Sequence, residues 1–324
     1  MSRGAVLAAA GRNARPFFPD ADWLWNPIPA SPVLDSNSAT WAGYFSAAAQ
    51  QHVCDIIEYG VAMRGPGGSA GAAVTASTPK YDVTFSNVPA WGPDPHSIPM
   101  AIPSDVIVPG VAIGANYDGH VTTADPTRGV VHSLWRAVNG GSSWTAQWGR
   151  QNPLNGDGRE AGAASTGSST GARLSRYGSV VRSSEMTVAA AAGYASLNHA
   201  LFFSTNIASS AVRYPASVGD GANGAGVATP IPEGARVQID PSINMDTVTG
   251  ITTWERIIGK TLQKYGAYVG DNGGARMAFL FEYLGEGATP NQPYVNVYSG
   301  IFDYYDMTHI PWSSLRVLRQ WDGR

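Results

Sequence analysis

The chain has little cysteine and little lysine: Cys54 stands alone, and Lys80, Lys260 and Lys264 are the only lysines among 324 residues. A single thiol excludes an internal disulfide, and with it a disulfide-stapled scaffold or a multi-cysteine zinc site. An excess of positive charge is missing too. Lys and Arg number 21 against 24 Asp and Glu, a formal net charge of -3, which argues against a dedicated nucleic-acid binder. No apolar run reaches the roughly 20 residues that span a bilayer. The run Ala5 to Ala10 is too short and too rich in alanine for a secretory leader, so neither a signal peptide nor a membrane span is expected. Phosphate-binding loops, H-E-x-x-H zinc motifs and G-x-S-x-G elbows are absent, and we expect no cofactor and no metal.

What is present is apolar and rich in turn-formers: 44% hydrophobic residues, 38 Gly and 22 Pro. The preference for arginine over lysine, with abundant Ala and Gly, reads as the codon bias of a GC-rich genome. Residues 1–37 read as an extended arm, because Pro16, Pro19, Pro27, Pro29 and Pro32 forbid a long helix. Phe17, Phe18, Trp23, Leu24 and Trp25 make that arm too apolar to stay solvated as a free tail, so it should lie on its own domain, with a neighbouring subunit as the alternative.

Residues 38–324 then read as one domain. Trp41, Tyr44, Phe45, Ala48, Val53, Ile56 and Ile57 recur at near-helical spacing and predict a helix over about 40–59, which would carry His52 and Asp55 on its surface. A second helix is predicted over 251–265, with Trp254, Ile257, Ile258 and Leu262 on one face and Gly266 as its stop. Gly-rich loops are expected at 64–78 and 161–172. Most of the rest is short strand between Gly and Pro, which predicts a mostly β fold of β-sandwich or jelly-roll type.

The clearest hairpin runs from Gly119 to Trp135 around a turn at Asp125 to Gly129. With Ala124 paired to Val130, Thr122 faces His132 and His120 faces Leu134. Alternation then places Asp118, His120, His132 and Arg136 on one sheet face. A carboxylate accepts hydrogen bonds, a neutral imidazole does both, and a guanidinium donates, which suits sugar hydroxyls. These four are the candidate ligand-binding residues. The alternatives are a proton-transfer pair or a plain hydrogen-bonded polar face. His199, between apolar neighbours, reads as a satisfied core histidine, and Asp271 to Gly274 reads as a tight turn. Leu154 to Gly158 reads as a polar turn, since Pro153 and Ala164 fall where an EF-hand needs carboxylates. Trp91, Trp144, Trp148, Tyr304, Tyr305 and Trp312 are candidate sugar-stacking rings.

Several short motifs in a fixed order carry a resemblance. They are Asp118-Gly119-His120, Asp125 to Gly129, Leu134-Trp135, Asn198 to Leu201, Ile231 to Arg236, Lys264 to Gly266 with Asp271 to Gly274, and His309 to Leu318. In these the chain resembles a family of uncharacterised bacterial secreted proteins. Trp25 to Pro29 and Asn87 to Trp91 are similar to minor tail proteins of phages that infect mycobacteria and related actinobacteria. The resemblance implies a virion tail protein that is made in the host cytoplasm and acts outside the cell. It further implies other tail proteins as partners, a homo-oligomer such as a trimer, and contact with the host's cell-wall glycan, and it supplies no catalytic residues. Host recognition is thus the leading expectation. A glycan-cleaving enzyme on the same scaffold is the alternative, and a purely structural tail subunit a further one.

Overall fold

The structure, a computed structural model, describes residues 15–47, 49–67, 71–111, 117–160, 162, 166–285 and 304–320. These residues form a mostly β, single-domain fold. We number the strands of its two main sheets in chain order: β1 (His52–Asp55), β2 (Val61–Arg64), β3 (His120–Asp125), β4 (Val130–Trp135), β5 (Trp148–Pro153), β6 (Leu201–Thr205), β7 (Arg236–Ile239), β8 (Ala267–Asn272), β9 (Met277–Leu280), β10 (Tyr305–Asp306) and β11 (Leu315–Val317). The larger sheet has seven strands in the order β10-β1-β9-β6-β8-β7-β11, and the smaller has four in the order β5-β4-β3-β2. Parallel and antiparallel pairs are mixed in both. The sheets meet at Val61, whose N–H donates to Phe281 and whose carbonyl accepts from Tyr283.

Helices are few. They are α1 (Asp22–Trp25), α2 (Ser38–Ser46), α3 (Arg176–Ser179), α4 (Ser183–Ala191) and α5 (Thr253–Lys264). The amphipathic pattern of α5 buries Trp254, Ile257, Ile258 and Leu262. Its start is a capping box: Thr252 accepts from the Glu255 N–H while the Glu255 carboxylate accepts from the Thr252 N–H. This is the helix expected at 251–265.

The helix expected over 40–59 is a correction. It ends at Ser46, and His52 to Asp55 form β1, paired to β9 on one side and β10 on the other. A strand flanked on both edges and buried on both faces shows a continuous apolar run, which periodicity alone does not separate from a buried helix. All four residues of β1 are buried. The His52 ring stacks on Trp312 at 4.0 Å and shares a hydrogen bond with the Phe45 carbonyl, so it is not a surface group.

The arm straps the domain. Phe17, Phe18, Trp23 and Leu24 are buried, and backbone bonds join Phe18 to Leu154, Ile28 to Lys264 and Asp35 to Val317. Trp23 donates through Nε1 to the Asp157 carbonyl, and its ring meets Tyr268 edge-on. The buried Arg182 guanidinium lies 4.6 Å above the Phe17 ring. Trp23→Ala should therefore cost about 3–5 kcal/mol of folding stability in urea denaturation, because a fully buried indole is removed and a carbonyl is orphaned. A loss within experimental error would show that the arm is not part of the core.

Candidate active site

The hairpin turn decides which side chains meet. Asp125 belongs to β3 and pairs with Val130, so the loop holds four residues, 126–129. Asp125 fixes it, accepting from the N–H groups of Thr127 and Arg128 and from the Arg128 guanidinium at 2.6 Å. Ala124 consequently pairs with Val131, and His132 lies opposite Thr123, not Thr122. A one-residue slip turns every side chain of a strand to the other face. The expectation that Asp118, His120 and His132 share a face is thereby corrected. His132 sits on the far side, 4.6 Å from the His96 ring and 3.2 Å from Gln151 Oε1. Arg136 lies over the Trp135 ring at 5.3 Å and does not line the cavity described next.

Asp118 and His120 do come together, in a cavity of about 290 Å³. Its walls come from distant parts of the chain: Tyr59 from the turn after β1, Trp91 from a loop, Trp135 and Trp148 from β4 and β5, Ser168 to Gly171 from the second Gly-rich loop, Arg176 from α3, Asp220, and Asp271 from β8. Asp118 accepts from Trp135 Nε1 at 3.0 Å, and its other oxygen is 3.6 Å from His120 Nε2. Trp91 stacks on Trp135 with ring centroids 6.0 Å apart and meets Trp148 edge-on. Trp91 is 53% exposed, so the aromatic wall extends outward from the cavity.

Asp271 faces the cavity because of a bulge. Between β6 and β8 the register runs Phe203 to Val269 and then Ser204 to Asp271, leaving Gly270 as the extra residue. A Cβ on Gly270 would lie 1.5 Å from the Phe202 ring, so no other residue fits without displacing that ring. Asp271 then accepts at Oδ2 from Tyr59 and from Arg176, both at 3.1 Å, and at Oδ1 from the Gly171 N–H. Arg176 is held in turn by the Ser169 carbonyl, and the Ser169 hydroxyl donates to the buried Glu160. Sequence reasoning took Asp271 for a turn residue and the 161–172 stretch for a loose loop. A glycine inside a strand pattern, here Gly270, is the signal that marks such a bulge.

The two carboxyls are pushed apart electrostatically. Burial raises Asp118, but its contacts with His120, with the Trp135 N–H and with the Arg176 charge outweigh this and hold it well below the carboxylate range. Burial lifts Asp271 to about 7, assisted by the charges of Asp220 and Asp118 against the opposing pull of Arg176. Burial, then the Arg176 charge, holds His120 at about 4, so its ring is neutral near pH 7. Behind Asp220, Glu233 is raised to about 9 by burial and by the neighbouring Asp220 carboxyl. An ionised carboxyl and one that titrates near neutrality, lining the same cavity, are the parts of an acid–base pair.

Among the described residues no cluster of His, Cys, Asp and Glu is arranged to hold a metal ion, and no helix is long and apolar enough to cross a membrane. Compared with protein families, with curated proteins and with solved structures, the chain matches none.

Buried titratable groups give folding a defined pH dependence. His52, His120 and His132 are held at about 4, and His96 well below its ordinary value, all chiefly by burial. The unfolded chain binds four protons on these rings below pH 6.5 that the folded chain refuses, so their contribution is lost as pH falls toward 4. Asp271 and Glu233 act oppositely: they keep protons when folded, and their contribution fades as pH rises toward 7 and 9. Four protons outweigh the two on Asp271 and Glu233 between pH 4.5 and 6.5, and the buried Glu160, also raised, narrows the difference without reversing it. Stability should peak near pH 6.5 and fall by on the order of 5 kcal/mol by pH 4.5 in urea titrations. A profile flat over that range would mean that the rings are solvated.

Proposed function

We propose that this chain is a glycan-directed tail protein whose cavity hydrolyses a glycosidic bond in the host's envelope. The observation that carries the reading is the pairing of Asp118 and Asp271 in one aromatic-walled cavity with opposite protonation. Glycoside hydrolysis asks for this: one carboxyl protonates the leaving oxygen while a carboxylate supports the cationic sugar. Asp271, near its neutral form at pH 7, gives its proton to the leaving oxygen. Asp118, ionised and hydrogen-bonded to the Trp135 indole, stabilises the positive charge that develops on the ring, and a water supplies the hydroxyl while its remaining proton passes back to Asp271. Trp91, Trp135 and Trp148 cover apolar C–H faces of the sugar, while Ser168, Ser169 and Thr170 offer hydroxyls.

The setting comes from the resemblance to phage minor tail proteins. In it the chain works at the host surface, beside other tail proteins and further copies of itself, on a β-rich body that we read as an irregular sandwich. Host recognition without cleavage is the second reading, and the exposed Trp91 in the cavity's aromatic wall favours it.

Incubation with soluble cell-wall polysaccharide from an actinobacterial host, followed by assay of new reducing ends, separates the two. We expect release of ends, lowered about 10²–10⁴-fold in Asp271→Asn and in Asp118→Asn. Activity should also decline above about pH 7, as Asp271 loses the proton it donates. Binding with no new ends would favour recognition alone, and full activity in Asp271→Asn would remove the acid assigned here.

A further inference from the structure

We propose that the cavity selects an uncharged saccharide and that Asp220 sets this preference, an inference that rests on reading the cavity as a glycan site. Asp118, Asp220 and Asp271 all line it, and Glu233 lies behind Asp220, its Oε1 accepting the Asp220 backbone N–H at 3.2 Å. Among the described residues Arg176 is the one cation of the lining, and its Nη2 and Nε are already engaged by Asp271 and by the Ser169 carbonyl. The charge balance of the walls is therefore negative. A uronate or another acidic sugar would set a further carboxylate against them, and like charges repel.

Asp220 is the wall residue free to make that discrimination. Glu233 is fully buried and raised to about 9, chiefly by burial, so it adds no negative charge of its own behind the wall near pH 7. The fit around it is tight. A Cβ on Gly171 would lie 2.2 Å from Asp220 Oδ1, while the Gly171 N–H donates to Asp271. Gly171 thus spaces two carboxyls along one wall. A second feature points to a polar ligand there. Arg176 is 3% exposed, lines the cavity, and its Nη1 has no hydrogen-bond partner. A sugar hydroxyl can accept from a guanidinium and donate to a carboxylate such as Asp220, whereas a sugar carboxylate can only accept.

The test reads binding, not cleavage, through tryptophan fluorescence, with Trp91, Trp135 and Trp148 at the cavity as reporters. The probes are soluble polysaccharides released from an actinobacterial envelope and split by anion exchange into uncharged and acidic fractions. We expect saturable quenching by the uncharged fraction, and about tenfold or weaker binding of the acidic one at low salt. The gap should narrow in about 0.5 M NaCl, where wall charges are screened, and again in Asp220→Asn. Equal affinity for both fractions at low salt overturns the selectivity and leaves the glycan reading intact. Quenching by neither fraction overturns both. Circular dichroism shows whether Asp220→Asn is folded; if it is not, the salt series on the unaltered chain decides.

Discussion

A guanidinium taken out of water must be paired or it destabilises the fold, and Arg176 is such a group. Its charge draws in Asp271, its Nε takes the Ser169 carbonyl, and its planar face lies 5.0 Å over the Tyr59 ring. Those three partners belong to a strand end, a Gly-rich loop and a turn that are far apart in the chain. Satisfying one buried cation therefore assembles most of one cavity wall. Truncating Asp271 would take from the Arg176 guanidinium its side-chain acceptor, whereas Asp271→Asn keeps an amide oxygen within reach of that donor and is the milder change at the site.

The sheets supply rigidity around this centre. β3 and β4 carry His120 and Trp135, with Asp118 just ahead of β3, and β8 carries Asp271, so the groups that differ in protonation stand on separate sheets. Their junction at Val61 directly follows the turn that presents Tyr59. The arm then ties the far ends together, from Leu154 after β5 to Val317 on β11. Positions on strands braced in this way are better preserved than positions on loops, which suits a site that depends on the spacing of carboxyls.

Opposite protonation of Asp118 and Asp271 has a plain origin. Asp118 keeps an indole donor and partial exposure, whereas Asp271 is deeper and shares its surroundings with the Asp220 charge. The same residue type is thus held down in one position and pushed up in the other, according to burial and neighbours. Short motifs that are dispersed in the chain also converge here: Asp118-Gly119-His120 and Asp271 line the cavity, and Glu233 stands behind Asp220.

Local features were legible from the residues alone. The apolar stripe of α5, the anchored aromatic arm, the β-rich character and the nearness of Asp118 to His120 all rest on composition or on spacing within a few residues. The termination of α2 at Ser46 was not, because a strand buried on both faces and a helix share the pattern of 41–57. Nor was the place of His132, which turned on whether Asp125 belongs to the loop or to the strand. Asp271 needed the bulge at Gly270, and Arg176 sits on a four-residue helix too short to show periodicity. Secondary structure follows from interactions between near neighbours, so the sequence alone determined the class and the main elements. Tyr59, Asp118, Arg176, Asp220 and Asp271 meet only through strand register and the pairing of one buried charge, and those are properties of the packed whole.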